Sequence, residues 1–288
     1  MSKNRQATRD ISYAYSAQTR GGRAMIRFME NASGRLGLIR RARGYEAEMS
    51  AGRDFWQIMV ERYGLGLDVI RGSLEDIPKE GPLIVIANHP YGILDGLILG
   101  SILSASRGDF KILANSVFTK NEILRDTVLP ISFDEESGAQ KLNKKTILAS
   151  CRYVQKGGCL GMFPSGTVAT SREPFSTIAE PLWPETISAI AVSSKATIVP
   201  IYFHGANSRL FQVASHLHGS LRLGMFVREF RRSVDKAVKL SIGDPLTYDD
   251  YSSMACDKVQ LTRMLRSATL KLGNVDSITV GRQYLRGV

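Results

Sequence analysis

"LIVIANHPYGILDG", residues 83–96, runs five apolar or small side chains straight into Asn88, His89 and Pro90, then on to Gly92, Asp95 and Gly96. A short unbroken aliphatic run stopped by such residues predicts a buried strand. The apolar pattern over 93–106 that follows predicts a helix. A titratable histidine and a carboxylate therefore stand at the mouth of a strand, six positions apart. The pair reads either as a capped turn or as a general base with its orienting acid.

The same alternation extends outward along the chain. Apolar bursts fall at 67–71, 83–88, 110–114, 128–131, 158–163, 197–203 and 237–242, with helical patterns at 93–106, 138–156, 184–195 and 257–272. Strands alternating with helices predict a single α/β domain over residues 66–288, with a mostly parallel central sheet flanked by helices. In such sheets ligands gather beyond the carboxyl ends of the strands, and His89 falls at one of them. "CLGMFPSGTVATS" (159–171) repeats the arrangement: a strand runs into Phe163, Pro164, Ser165, Gly166 and Thr167. Proline stiffens that turn and glycine lets the backbone approach a ligand closely. "ATIVPIYFHGANS" (196–208) is a third strand end, with Pro200 pointing to an edge or irregular strand.

Residues 1–65 read differently. Up to residue 53 there are eleven Lys/Arg against four acids, the larger part of a net charge of +11. The stretch 24–45, interrupted by Gly34 and Gly37, predicts a short amphipathic helix, a turn and a basic stretch. Residues 46–65 predict one further helix, with Phe55, Ile58, Met59 and Arg62 on one face. A second basic run over 222–239 mixes Arg and Lys with Leu223, Met225, Phe226, Val227 and Phe230. Basic and apolar side chains so mixed suit an anionic bilayer surface, the stems dipping while the charges meet headgroups. Nucleic acid is not expected as a partner, because no recognition motif accompanies the charge. No run reaches the ~18 apolar residues of a membrane span, and no signal-peptide core stands in the first thirty residues. The chain is expected in the cytoplasm, peripheral on the inner face of the membrane.

Cys151, Cys159 and Cys256 form no CxxC pair and read as small core hydrophobes. His204, His216 and His218 have no partners at ligand spacing, so no metal is expected.

Taken in order, "NHPYGILDG", "FPSGT" and "VPI" resemble the glycerolipid (lysophospholipid, 1-acylglycerol-3-phosphate acyltransferase-like) acyltransferase superfamily, in particular its bacterial hemolysin-like branch. The resemblance covers residues 66–245. It implies transfer of a fatty acyl chain from acyl carrier protein or coenzyme A, as substrate and with no cofactor, to the hydroxyl of a lysolipid. It also implies that the basic N-terminal segment docks on membrane lipids. By the same match His89 and Asp95 take the catalytic positions, and Phe163 to Thr167 the acceptor-binding loop. Asn88, Tyr91 and Gly92, inside the first motif, complete the substrate-binding candidates, with Gly92 or residues 165–167 offering backbone N–H groups to an oxyanion. Two departures stand out. Five residues separate His89 from Asp95 where the usual motif has four, and the usual Phe-Pro-Glu-Gly-Thr-Arg loop here carries Ser165 for the glutamate and Val168 for the arginine. The Gly-Phe-Ile-x-Arg stretch is missing as well. Loss of those charges turns the expectation from a glycerol phosphate acceptor toward a lyso-aminolipid such as lyso-ornithine lipid. The competing readings are a serine lipase or thioesterase using Ser165, and a non-catalytic basic protein binding membrane or nucleic acid.

Overall fold

The structure, a computed structural model, describes residues 12, 14, 19–132 and 137–274. The chain enters its main sheet at β1 (Gly66–Arg71) and continues through β2 (Leu83–Ala87), β3 (Lys111–Asn115), β4 (Val128–Ile131) and β5 (Cys159–Met162). A small antiparallel pair, β6 (Thr170–Ser171) and β7 (Ile178–Ala179), stands apart before β8 (Thr197–Phe203) and β9 (Ala237–Ile242). The seven-stranded sheet has the order β1-β9-β8-β2-β5-β3-β4. Its neighbours run parallel except β8 and β9, so the expected α/β sheet is present and mostly parallel.

Every residue of β2 is buried. Leu83, Val85 and Ala87 join one apolar cluster while Ile84 and Ile86 join another, the two-residue period of a strand covered on both faces. Each such side chain, moved from water to this interior, contributes about 1.5–3 kcal/mol. A continuous aliphatic run is thus the sequence form of the sheet's centre.

The helices in chain order are α1 (Arg20–Ala32), α2 (Arg35–Ala42), α3 (Tyr45–Ser50), α4 (Phe55–Arg62), α5 (Ile93–Arg107), α6 (Ser137–Gln155), α7 (Thr186–Ser194), α8 (Arg209–Leu217), α9 (Gly219–Ser233), α10 (Tyr248–Tyr251) and α11 (Lys258–Lys271). The N-terminal segment differs from its sequence reading in three ways. Gly34 does separate two helices, at φ 93°, but Gly37 lies inside α2. The single helix expected over 46–65 divides, because the Asp54 side chain caps a new start at the Gln57 N–H, 3.0 Å. The basic stretch is itself helical and partly neutralised: Arg41 grips Asp235 with two hydrogen bonds, and Glu48 meets both Arg53 and Arg62.

Residues 45–65 also pack into the main core. Trp56, Ile58 and Met59 share the cluster of Leu83, Val85 and Ile98. The Trp56 ring lies over Gly100 of α5, where a Cβ would stand 2.2 Å from it.

The run over 222–239 is corrected by its burial. Met225, Phe226, Val227 and Phe230 of α9 face inward, so they fill the core instead of dipping into a bilayer. Cys159 is buried in β5, where desolvation pushes its thiol up to about 12, while Cys256 is exposed, unlike a core hydrophobe.

β5, β2 and β8 are adjacent and parallel. Their carboxyl ends therefore meet at one edge of the sheet, which places His89, the loop from Phe163 and His204 side by side.

Candidate active site

Asp95 is the third residue of α5 and is wholly buried. Its Oδ2 accepts the N–H of Tyr91 at 2.8 Å and of Gly92 at 2.9 Å, and lies 3.0 Å from His89 Nδ1. The capped turn and the orienting acid are thus one oxygen. A carboxylate in a helix's first turn also complements the helix dipole. Because that oxygen is an acceptor, His89 Nδ1 carries the proton, and the neutral ring keeps its lone pair on Nε2. Phe163 stacks on the imidazole, centroids 4.1 Å apart and planes 19° from parallel, which fixes the ring's tilt. The His89 side chain keeps 17% of its surface exposed.

The turn demands glycine at 92. Its φ of 93° is a region that side chains avoid, and a Cβ there would press to 2.8 Å on Phe226 and 3.2 Å on Val168.

The other candidates have more local roles. Asn88 is buried with both ends of its amide on the main chain of Phe203, 3.0 and 2.7 Å away, tying β2 to β8. The Tyr91 hydroxyl donates to the His204 carbonyl at 2.7 Å, and burial pushes its phenol up to about 12. The Gly92 N–H, expected to face an oxyanion, instead holds Asp95. The Gly166 N–H turns back on the Phe163 carbonyl at 3.0 Å, so within residues 165–167 the N–H groups of Ser165 and Thr167 carry that expectation. Pro164 is buried beneath the loop. Ser165 is nearly buried, and its hydroxyl donates to the Thr167 carbonyl at 3.0 Å. The remaining histidines sit in local hydrogen bonds: His204 with Ser241, His216 with the Ser171 carbonyl, His218 with the Ser220 N–H.

Two further residues, marked by no sequence motif, reach the turn after β2 and the loop after β5. Glu180, just past β7, is buried and accepts the His89 main-chain N–H at 3.1 Å. Arg222 of α9 donates to Thr170 Oγ1 at 2.7 Å, the Val168 carbonyl at 3.0 Å and Thr167 Oγ1 at 3.3 Å. Its guanidinium lies over the Phe211 ring, and desolvation lowers its pKa to about 10. The loop after β5, with no arginine at 168, is therefore met by one from α9, while the turn after β2 takes a carboxylate from beyond β7. No local motif surrounds Glu180 or Arg222, and only the packing of β7 and α9 brings them here.

A family model described as Acyltransferase matches residues 69–204, from β1 through the end of β8, and so takes in both motif loops. The chain carries an acyltransferase domain over these residues. It is an acyltransferase. It is 24% identical over 213 residues to a lyso-glycine lipid O-acyltransferase of Bacteroides thetaiotaomicron, covering 72% of this chain and 75% of that protein. The likeness to a lyso-glycine lipid O-acyltransferase of Phocaeicola vulgatus is also 24% over 213 residues, covering 72% and 73%. Among solved structures, the 1-acyl-sn-glycerophosphate acyltransferase PlsC of Thermotoga maritima aligns with a TM-score of 0.48 and 14% identity, covering 91% of this chain and 84% of that one.

Proposed function

We propose that this enzyme moves a fatty acyl chain from an acyl carrier protein or coenzyme A thioester to the hydroxyl of a lysolipid bearing an amino-acid headgroup. The observation that carries the proposal is the His89–Asp95 pair, 3.0 Å apart at the shared edge of three parallel strands. An alcohol attacks a thioester well only when a base removes its proton as the bond forms. Nε2 of His89 takes that proton. Asp95 holds Nδ1 and stabilises the imidazolium. The alcohol oxygen bonds to the thioester carbon, the tetrahedral oxyanion collapses, and the thiolate leaves with the proton returned from Nε2. N–H groups of Ser165 and Thr167 are the proposed oxyanion donors, a contribution of about 3–4 kcal/mol for one well-placed donor. The amino-acid headgroup is supported by the two lyso-glycine lipid relatives and by the absence of loop charges at 165 and 168.

The deciding assay incubates purified protein with an acyl thioester and lyso-glycine lipid and follows the doubly acylated product by mass spectrometry. Free fatty acid as the sole product overturns the proposal. The serine-hydrolase alternative is disfavoured by geometry, since the Ser165 hydroxyl bonds to a main-chain carbonyl. Ser165→Ala is accordingly expected to keep transfer within about tenfold, well short of the loss that follows removal of a nucleophile.

We also propose that α1 and α2 rest on the cytoplasmic face of an anionic membrane. Phe28, Leu36 and Met25 are 74, 62 and 45% exposed there, beside exposed Arg20, Arg27 and Arg40. Each such cation is worth about 1 kcal/mol at an anionic surface. Reversing these three arginines to glutamate should weaken vesicle binding at least about tenfold in low salt, with the difference shrinking as salt screens it. Equal binding by the variant in low salt overturns the docking role.

A further inference from the structure

Residues 89–92 of the turn after β2 have three N–H groups, Pro90 having none, and all three are held by carboxylates. Tyr91 and Gly92 donate to Asp95, and His89 donates to Glu180. The second of these carboxylates has no part in the chemistry described above. Glu180 is 6% exposed. Its Oε2 takes the His89 N–H at 3.1 Å and its Oε1 takes the indole N–H of Trp183 at 3.1 Å. The main chain behind it is clamped from α11, where the Arg266 guanidinium donates to the carbonyls of Glu180 and Pro181 at 2.5 and 3.1 Å. One buried carboxylate thus joins the turn after β2 to the segment after β7.

We propose that Glu180 is a positioning residue for the base: it fixes the main chain of His89 against the segment after β7, which Arg266 of α11 clamps in turn. The proposal rests on His89 being the base. Asp95 sets the ring and Glu180 sets the backbone from which the ring projects, so the imidazole is located from two sides. A displacement of about 1 Å at a reacting group can cost about a hundredfold in rate, which gives the constraint its value. The energetic logic runs against a purely structural role. A carboxylate whose oxygens meet the neutral N–H groups of His89 and Trp183 in this interior is expensive to ionise, and even with the Arg266 guanidinium behind its main chain burial raises its pKa above the ordinary range. Its folded value lies above its unfolded one, so the charged form weighs on stability once the pH passes the usual carboxylate range. The burden grows until the folded value is reached. Glutamine removes that burden while keeping the shape, yet it meets one of the two N–H donors with an NH2 group.

Glu180→Gln in the full-length enzyme is therefore expected to lower kcat about ten- to a hundredfold with KM for both substrates within threefold, while its denaturation midpoint at pH 7 equals or exceeds that of the wild type. Wild-type kcat in this variant overturns the proposal. A lowered midpoint with full kcat per folded molecule overturns it as well, since that is the behaviour of a structural group. Should Glu180→Gln fail to fold, Trp183→Phe removes one orienting donor and leaves the carboxylate. A several-fold fall in kcat at unchanged KM then supports the role, and an unchanged kcat overturns it. His89→Ala measured in parallel separates the two levels. If that variant keeps turnover, the identity of the base falls; if it is inactive while Glu180→Gln matches wild type, only the positioning role falls.

Discussion

His89→Ala is expected to lose about 10²- to 10⁴-fold in acyl transfer, the contribution of a positioned general base, while folding and vesicle binding persist. The reason lies in how little else the ring does. Its Nδ1 meets Asp95 and its face meets Phe163, and 17% of the side chain is open to solvent. Truncation removes the lone pair on Nε2 and no main-chain support, because the turn is held through backbone N–H groups that alanine retains. Rates measured with a radiolabelled acyl thioester, alongside circular dichroism of the variant, decide the matter. Turnover near that of the wild type would remove His89 from the mechanism.

Asp95→Asn is expected to cost a comparable factor, about 10²- to 10⁴-fold, by a different route. The neutral amide no longer stabilises the imidazolium that forms when Nε2 takes the proton. The same oxygen also serves Tyr91 and Gly92, so an asparagine that keeps its carbonyl there holds the turn and puts its NH2 in place of the buried Oδ1, where no acceptor meets it. The accompanying loss of stability is expected at about 1–3 kcal/mol, the scale of a buried donor left without its acceptor. A denaturant midpoint and kcat measured on the same preparation separate the two effects. Full activity at reduced stability would mean that Asp95 only caps the helix.

The central strands were legible because their signals are local. Aliphatic runs at 83–88, 158–163 and 197–203, each stopped by turn residues, mark β2, β5 and β8 to within one residue at either end. The two candidate loops follow from them, since each continues a strand that the pattern locates. Elsewhere local patterns misled. The apolar side chains in 222–239 read as a membrane face, yet they recur at helical spacing and fill the core beside α1. Gly37 read as a break, yet one glycine costs a helix only about 1 kcal/mol, which packing of Leu38 and Ala42 offsets. The hairpin β6–β7 escaped notice because two-residue strands carry no period.

The sequence by itself determined which segments become strands, where each ends, and that a histidine and an acid share one turn, because spacing and capping are settled over a few residues. Only the tertiary structure decided that β5 and β8 flank β2, that Glu180 reaches the His89 main chain, and that Arg222 reaches the loop whose own charges are absent. Those contacts join residues 91 and 54 positions apart in the chain, and no local rule governs a carboxylate arriving from another strand. Their placement is a property of how the sheet is ordered and what covers its edge.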